Sequence, residues 1–560
     1  MLLIVAFLSL AGWCFYLQFL RGGHFYSISI KQQQRREFQK PQRGVILDCR
    51  GRVLSASNEI QTIFAEPRII EDPESTSIKL APIVNREAIE IYKLITESKN
   101  PGFVKIKVGA DANQCSSAGE IRNGIGVKSD WQRHYPTGSL TCHVVGFTSV
   151  DNQGLGGVEL QYDKELGGLP GQNIFFADAF RRPISEIRSQ KSEIRNCVDG
   201  VGIILTLDAT IQQFARAELL KQYESYDAES AVAIVAEPGT GAILALVSLP
   251  CFDPNDIRSA DANSFRNRAI TDPFEPGSIL KPIVAAIAID SGVVGLDEKI
   301  FCEEGQYRGR GFGRIGEYGN HQFGDLTVRE ILVHSSNIGM AKIGQKLGKD
   351  KLYNGLKLFG FGKKTGLDLP GEAEGLLHPP QKWTGYSVTR IPFGQEISVT
   401  AIQLVRAFCV LANGGRAVRP YLVKAMVDND GEIIKLKRPE RAGVGFVVRP
   451  EVARWIVTNA LAGVVNEGTG RKAVLEKWQV FGKTGTANIA SSDRKGYSDR
   501  DYVASFIAGA PAEAPEAIVL VLIRKPNIEL GKGYTGGTVA APVVAKILEK
   551  TLNYLDKHQR

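Results

Sequence analysis

The chain holds 560 residues, 43 % apolar and 23 % charged, with 68 Lys and Arg against 60 Asp and Glu for a net charge of +8. At roughly 150 residues per domain this length holds three to four units, and 59 Gly with 25 Pro stay well below the roughly 25–30 % that marks low-complexity chains. The mild basic excess contains no run of about five or six like charges, so no nucleic-acid partner is expected, and a mean hydropathy of −0.09 excludes a polytopic membrane protein.

The first element is an anchor. Met1 to Leu20 carries no charge and is dominated by Leu, Ile, Val and Phe. About 20 apolar residues at about 1.5 Å each cross a hydrocarbon core of about 30 Å. A cleavable signal would need small residues at its cleavage site. Trp13, Phe15 and Tyr16 occupy that place, and Trp13 before Cys14 argues against lipoprotein processing. An uncleaved membrane anchor over 1–20 and a polar, Gln-rich juxtamembrane stalk over 21–42 are therefore expected. Arg21, Lys31, Arg35, Arg36, Lys40 and Arg43 follow the anchor and nothing basic precedes it. Taken alone, that asymmetry puts the body in the cytoplasm. A start lacking a basic N-terminal tail would account for it.

From 43 to 195 short strand-like runs alternate with turns. Arg43 to Leu54 reads as strand, Gly turn, strand. A polar stretch over 185–200 marks a boundary. Beyond it, Ala231–Ala236 and Ala242–Ser248 flank Glu237-Pro-Gly-Thr-Gly241, an antiparallel hairpin signal. Ser278 to Asp290 is apolar almost all round and reads as a buried helix, with Pro282 near its first turn, where a missing N–H costs least. Two helical patterns flank His334–Asn337. Val480–Ala487, Val503–Ala508 and Ala517–Ile523 read as strands, and Val539–Leu555 as a closing amphipathic helix. Hairpin strands, then helices, then strands and a last helix imply an α/β or α+β domain over about 200–556. The eight cysteines are scattered with no C-x-x-C pair, and the seven histidines show no H-E-x-x-H. They read as isolated thiols and side chains, so no metal and no cofactor are expected.

Three short motifs bear chemistry. In Ser278-Ile-Leu-Lys281 the two polar side chains share one helix face, which puts Lys281 Nζ against Ser278 Oγ. A lysine can deprotonate a serine only when neutral, and burial disfavours its charged form. Ser492-Asp-Arg-Lys495 has the same spacing in a polar loop and reads as accidental. Ser335-Ser336-Asn337 alone is an ordinary turn and N-cap. Lys483-Thr484-Gly485-Thr486 follows an apolar run. Gly485 allows close approach of another chain, and Lys483 with the two threonines suits a carboxylate. Lys364-Thr-Gly366 is a decoy in a Gly-rich loop. A phosphate-binding loop at Gly482-Lys483-Thr484 fails because Lys477 stands where Gly is needed.

S-x-x-K, S-x-N and K-T-G in this order are the signature of penicillin-recognising serine enzymes. The chain resembles a class B penicillin-binding protein, a monofunctional peptidoglycan D,D-transpeptidase. Arg43-Gly-Val-Ile-Leu-Asp-Cys-Arg-Gly, Arg133-His-Tyr-Pro-Thr-Gly138, Gly156-Gly-Val-Glu159 and Tyr162-Asp163 resemble boxes of the family's non-catalytic N-terminal module. Pro238–Ala245, Asn267-Arg-Ala269, Phe274-Glu-Pro-Gly-Ser278, Pro392-Phe-Gly-Gln395, Ser505-Phe506 and Gly536-Gly537 resemble parts of its catalytic domain. Glu-Pro-Gly before the serine and the compact first module favour the division (septal) type.

The resemblance implies a central antiparallel sheet flanked by helices over 200–556. A mixed, β-rich pedestal or dimerisation-like module over 43–195 precedes it. It implies a body outside the cytoplasmic (inner) membrane, against the local charge rule. It implies Ser278 as nucleophile, Lys281 as general base, Ser335 as proton relay and Asn337 on the substrate amide. Lys483, Thr484, Gly485 and Thr486 would hold the terminal carboxylate, and the N–H groups of Ser278 and Thr486 would form an oxyanion hole. Implied partners are D-Ala-D-Ala stem peptides, an amine acceptor, β-lactams as inhibitors, the membrane, a glycosyltransferase and other division proteins. The rival readings are a serine β-lactamase or β-lactam sensor, and a division-complex scaffold with secondary catalysis. No E-x-x-L-N pattern between 337 and 483 supports a class A β-lactamase.

Overall fold

In this computed structural model residues 1–121, 123–176, 196–437, 441–490 and 496–558 are described. Most of the polar boundary stretch and the whole Ser492–Lys495 decoy lie outside them. Two compact units divide the chain. One comprises Met1–Gly44, Ser57–Arg133 and Lys164–Val201; the other comprises Val45–Ala56, His134–Asp163 and Gly202–Arg560.

In the first unit, Leu2–Phe15 is helical and continues through a wider turn, Tyr16–Leu20. Leu3–Leu20 is the one segment among the described residues long and apolar enough to cross a membrane, and none of it is buried. The 21–42 segment contains a helix, Gly22–Gln33, and a strand, Gln34–Gln39, that pairs antiparallel with Gly171–Phe176. Further along, Gln61–Ala65 pairs antiparallel with Val104–Ala110. Helices Pro73–Val84 and Ala88–Thr96 pack there around Ile63, Leu80, Ile91 and Ile106. Asp72 caps the first helix by accepting from Ser75 N–H, and Asn85 ends it in the left-handed conformation, as helix-end chemistry favours.

The second unit carries the main sheet. Its elements are helix α1 (Ala209–Ser225), strands β1 (Ser230–Ala236) and β2 (Ile243–Leu249), helices α2 (Lys281–Asp290), α3 (Val328–His334), α4 (Asn337–Leu358) and α5 (Ala401–Ala412), strands β3 (Phe481–Ala490), β4 (Tyr497–Ala510) and β5 (Ala517–Arg524), and helix α6 (Ala541–His558). The sheet runs β3-β4-β5-β1-β2 and every neighbouring pair is antiparallel. The expected hairpin is β1–β2. Alternation along β5 sends Val519, Val521 and Ile523 into a core shared with Leu219 of α1 and Ile547 of α6. The strand–turn–strand expected at 43–54 is also present. Ile46 pairs with Ser55 around Gly51, which holds φ +80°.

The helix expected over Ser278–Asp290 begins differently. Gly277–Leu280 is a tighter 3₁₀ turn, and the α-helix starts at Lys281. Pro282 has no N–H to give the Ser278 carbonyl. The Lys281 N–H takes that carbonyl instead, one residue earlier, which is the 3₁₀ pattern. Every residue from Lys281 to Ile289 is buried, including the lysine.

Candidate active site

Three elements bring the motifs together. The 3₁₀ turn carries Ser278, the α3–α4 junction carries Ser335 and Asn337, and the edge strand β3 carries Lys483 to Thr486. Glycines set the spacing. A Cβ on Gly485 would stand 2.3 Å from Ser505 Oγ and 2.9 Å from Ile279 Cγ1, so only a bare backbone lets the Ser278 turn lie against β3. Gly277 adopts φ +54° with Thr486 O beside it. Its N–H donates to Gly394 O at 3.1 Å, and a Cβ on Gly394 would meet Gly277 O at 2.1 Å.

Lys281 and Lys483 are fully buried. Lys281 Nζ donates to Ser335 O at 2.5 Å and to Asn337 Oδ1 at 2.8 Å, and lies 3.2 Å from Ser335 Oγ. Lys483 Nζ donates to Ser335 Oγ at 3.0 Å, with Thr484 O and Oγ1 at 3.4 Å. Ser335 thus bridges the two amines, from a left-handed backbone at φ +60° that a non-glycine residue adopts only at a cost.

The expected contact between Lys281 Nζ and Ser278 Oγ is not made. Among the described residues the Lys281 hydrogen bonds go to Ser335 and Asn337. The i,i+3 spacing brings the two side chains to one side of the turn, but tertiary acceptors on the α3–α4 junction compete for the amine. Ser335 O and Asn337 Oδ1 only accept, whereas the Ser335 hydroxyl can accept from an ammonium or donate to the lone pair of an amine, so the three contacts serve both protonation states. Burial pulls Lys281 down to about 7, against the opposing pull of the Glu317 carboxylate. Burial, and then the charge of Lys281, hold Lys483 well below its ordinary value.

Glu317 is a residue that sequence reasoning missed. It is buried, and its carboxylate accepts from Ser336 Oγ at 2.5 Å, Asn337 N–H at 2.6 Å and Ile338 N–H at 3.2 Å. It therefore caps the N-terminus of α4, where backbone donors and the helix dipole both favour a negative charge. Asn337 Nδ2 donates to Gly316 O at 3.1 Å, so residues 316–317 fix both the backbone and the side chain of Asn337. Thr469 was also missed; its hydroxyl lies 2.7 Å from that of Thr484. Nothing local in either stretch marks it.

A cleft of about 520 Å³ opens over this arrangement. Ser278, Ser335, Asn337, Thr484 and Thr486 line it; Lys281, Lys483 and Gly485 lie behind its wall. Charges of both signs line the cleft. Thr469, whose hydroxyl meets that of Thr484, lines it with Arg471 and Lys472, and Glu275, Gln395 and Asn488 line it as well. Lys364 is exposed in a loop with no strand, and its neighbour Thr365 bonds Glu372, which separates the decoy from this site. Chemically, the cleft offers a partly exposed hydroxyl, a buried amine of depressed basicity, a hydroxyl bridging it to a second amine, and a strand edge with threonine donors.

Comparison with known proteins covers most of the chain. Residues 231–549 match the penicillin binding protein transpeptidase domain, and residues 38–197 match the penicillin-binding protein dimerisation domain. Stage V sporulation protein D of Bacillus subtilis is 34 % identical over 98 % of this chain and 84 % of its own length. Peptidoglycan D,D-transpeptidase FtsI of Escherichia coli is 30 % identical over 92 % of this chain and 84 % of its own. Among solved structures, penicillin binding protein 3 of Mycobacterium tuberculosis, complexed with ampicillin, superposes with a TM-score of 0.72 at 25 % identity, covering 93 % of this chain and 96 % of that one.

Proposed function

The chain belongs to the class B penicillin-binding proteins, and from that premise we propose that it cross-links peptidoglycan stem peptides through an acyl-enzyme on Ser278, in the septal wall of dividing cells. It is a D,D-transpeptidase, and β-lactams are its inhibitors. The observation that carries the site assignment is the chain of short contacts from Lys483 through Ser335 Oγ to Lys281, one turn from Ser278 and beside the cleft.

In this reading the donor peptide lies along β3 with its terminal carboxylate at Thr484 and Thr486, within reach of the Lys483 charge. Lys281 in its neutral form, which burial favours, turns its lone pair to Ser278 Oγ and takes the proton. Oγ then bonds the carbonyl carbon of the penultimate D-Ala, and the oxyanion is held by the N–H groups of Ser278 and Thr486. Such preorganised donors are worth about 3–4 kcal/mol each in comparable sites. As the C–N bond breaks, Ser335 passes a proton to the departing D-Ala amine and takes back the one held on Lys281, 3.2 Å away, which leaves Lys281 neutral again. Asn337 holds the substrate amide once its Oδ1 is released by Lys281. An acceptor amine then attacks the ester and loses a proton to Lys281, which returns it to Ser278 Oγ as the C–O bond breaks.

We assign 43–195 as the non-catalytic module and 200–556 as the transpeptidase domain, with Leu3–Leu20 as a single-pass anchor and the body outside the cytoplasmic membrane. A glycosyltransferase that supplies glycan strands, and other division proteins, are the partners this placement calls for. The septal role is supported by Glu275-Pro-Gly277 before the nucleophile and by the compact first module. The experiment is replacement of the gene by a Ser278→Ala version with a fluorescent tag. The tagged chain should gather at division sites and division should fail there. A tag spread along the lateral wall would overturn the septal role, and normal cross-linking would overturn the catalytic one.

A further inference from the structure

Glu275 lines the cleft three residues before Ser278, and its carboxylate is held in place. One oxygen accepts from Glu396 N–H at 3.0 Å and the other from Tyr497 Oη–H at 2.8 Å. No cation bonds it among the described residues. Burial raises its pKa and the Glu396 charge adds to this, against the Tyr497 hydroxyl, the Glu396 N–H and, last, the Arg390 charge. A carboxylate kept half-buried without a cation, at the edge of a reaction cleft, is costly unless something positive arrives with the substrate.

The distances define that visitor. Tyr497, which clamps Glu275, pairs with Ala490 on β3, and Asn488 lines the same cleft. Thr484 is four residues from Asn488 on the same strand, or about 14 Å at about 3.4 Å per residue. In an extended peptide whose terminal carboxylate sits at Thr484, the third residue from the end lies about 7 Å along the strand. A long side chain from that residue covers the remaining distance. Gln395 and Asn488 line the same cleft with neutral acceptors and donors, and beside them Glu275 offers a carboxylate.

We propose that Glu275 is a specificity-determining residue of this cleft, which takes a primary ammonium group on the stem peptide. The proposal rests on the transpeptidase reading above. The ammonium can belong to the long side chain of the donor's third residue or to the incoming acceptor amine, and the test has one arm for each.

The full-length chain in detergent is given two donor peptides ending in D-Ala-D-Ala, one with lysine at the third position and one with its ε-amine acetylated. Acylation of Ser278 is read as protection against labelled penicillin. The lysine donor should acylate faster by roughly tenfold or more, the scale of one charge-assisted hydrogen bond. Glu275→Gln, which keeps the shape and an acceptor oxygen, should bring the two within about twofold. In the second arm an unlabelled amine acceptor is titrated against a fixed donor. A rise in acceptor KM in Glu275→Gln, without a change in donor preference, assigns the ammonium to the acceptor. Labelling of Glu275→Gln by penicillin reports that the variant is folded. Should it not label, the unsubstituted protein still decides, because its preference must shrink as salt rises from about 0.05 to 0.5 M. Equal rates for both donors together with an unchanged acceptor KM would overturn the proposal. Absence of any peptide or penicillin adduct on Ser278 would instead overturn the transpeptidase site on which it rests.

Discussion

Glu317→Gln perturbs the site at its least visible support. The carboxylate accepts three hydrogen bonds at the start of α4, two of them from the Asn337 and Ile338 backbone. Glutamine keeps the volume but turns one oxygen into an N–H donor, so at least one buried N–H meets another donor. An unsatisfied buried donor costs about 1–3 kcal/mol, and loss of the charge at the helix N-terminus adds about 0.3–1 kcal/mol. The expected loss is about 1.3–4 kcal/mol, or several degrees in Tm by the usual scaling. The same charge also raises Lys281, whose amine titrates at about 7. Penicillin acylation of the unsubstituted chain should therefore rise with pH through about 7 as the amine loses its proton. Removing the Glu317 charge lowers that pKa, so the acid limb of the variant should move to lower pH. The assay is the second-order acylation constant against pH, with thermal unfolding alongside. An unchanged Tm together with an acid limb that stays put or moves to higher pH would refute the cap and its electrostatic link to Lys281.

Lys483→Ala should slow penicillin acylation by about 10²–10³, since a partly desolvated ion pair with the β-lactam carboxylate is worth a few kcal/mol, whereas exposed Lys364→Ala should change the rate little; stopped-flow acylation of both variants decides, and the reverse ranking would redraw the site. Gly485→Ala should overpack the contact with Ser505 and Ile279 at a cost of about 1–3 kcal/mol, with acylation at least tenfold slower because the Ser278 turn is pushed from β3; a near-normal rate would show that the glycine is not needed there. A reporter active only outside the cytoplasm, fused after Arg560, should be active, and an expressed but silent fusion would reverse the membrane orientation.

What the sequence makes legible is local pattern. The β1–β2 hairpin could be read because two apolar runs flank Pro-Gly-Thr-Gly, and Lys281 because a lysine within an apolar stretch requires a reason. Gly485 could be read as a place of close approach, although its neighbours Ser505 and Ile279 could not. The partner of Lys281 was not legible. Spacing along one turn points at Ser278, but the choice among acceptors is made by Ser335 and Asn337, more than fifty residues away. Glu317 stayed hidden for a similar reason: it caps a helix that begins twenty residues later, and helix-capping patterns are recognisable only when cap and helix adjoin. The Pro282 effect was half read. Its place in the first turn was plain, but not that it leaves the Ser278 carbonyl to the Lys281 N–H. The helix and strand within 21–42 had no clear apolar period to announce them.

The central claim is that Ser278 is the acylated residue. Labelled penicillin is incubated with the full-length chain, the protein is digested, and the adduct is mapped by mass spectrometry. The adduct should sit on the peptide containing Ser278, one label per chain, and vanish in Ser278→Ala. A label on Ser335 or on any other residue, or a Ser278→Ala chain that still takes up penicillin at the original rate, would contradict the account.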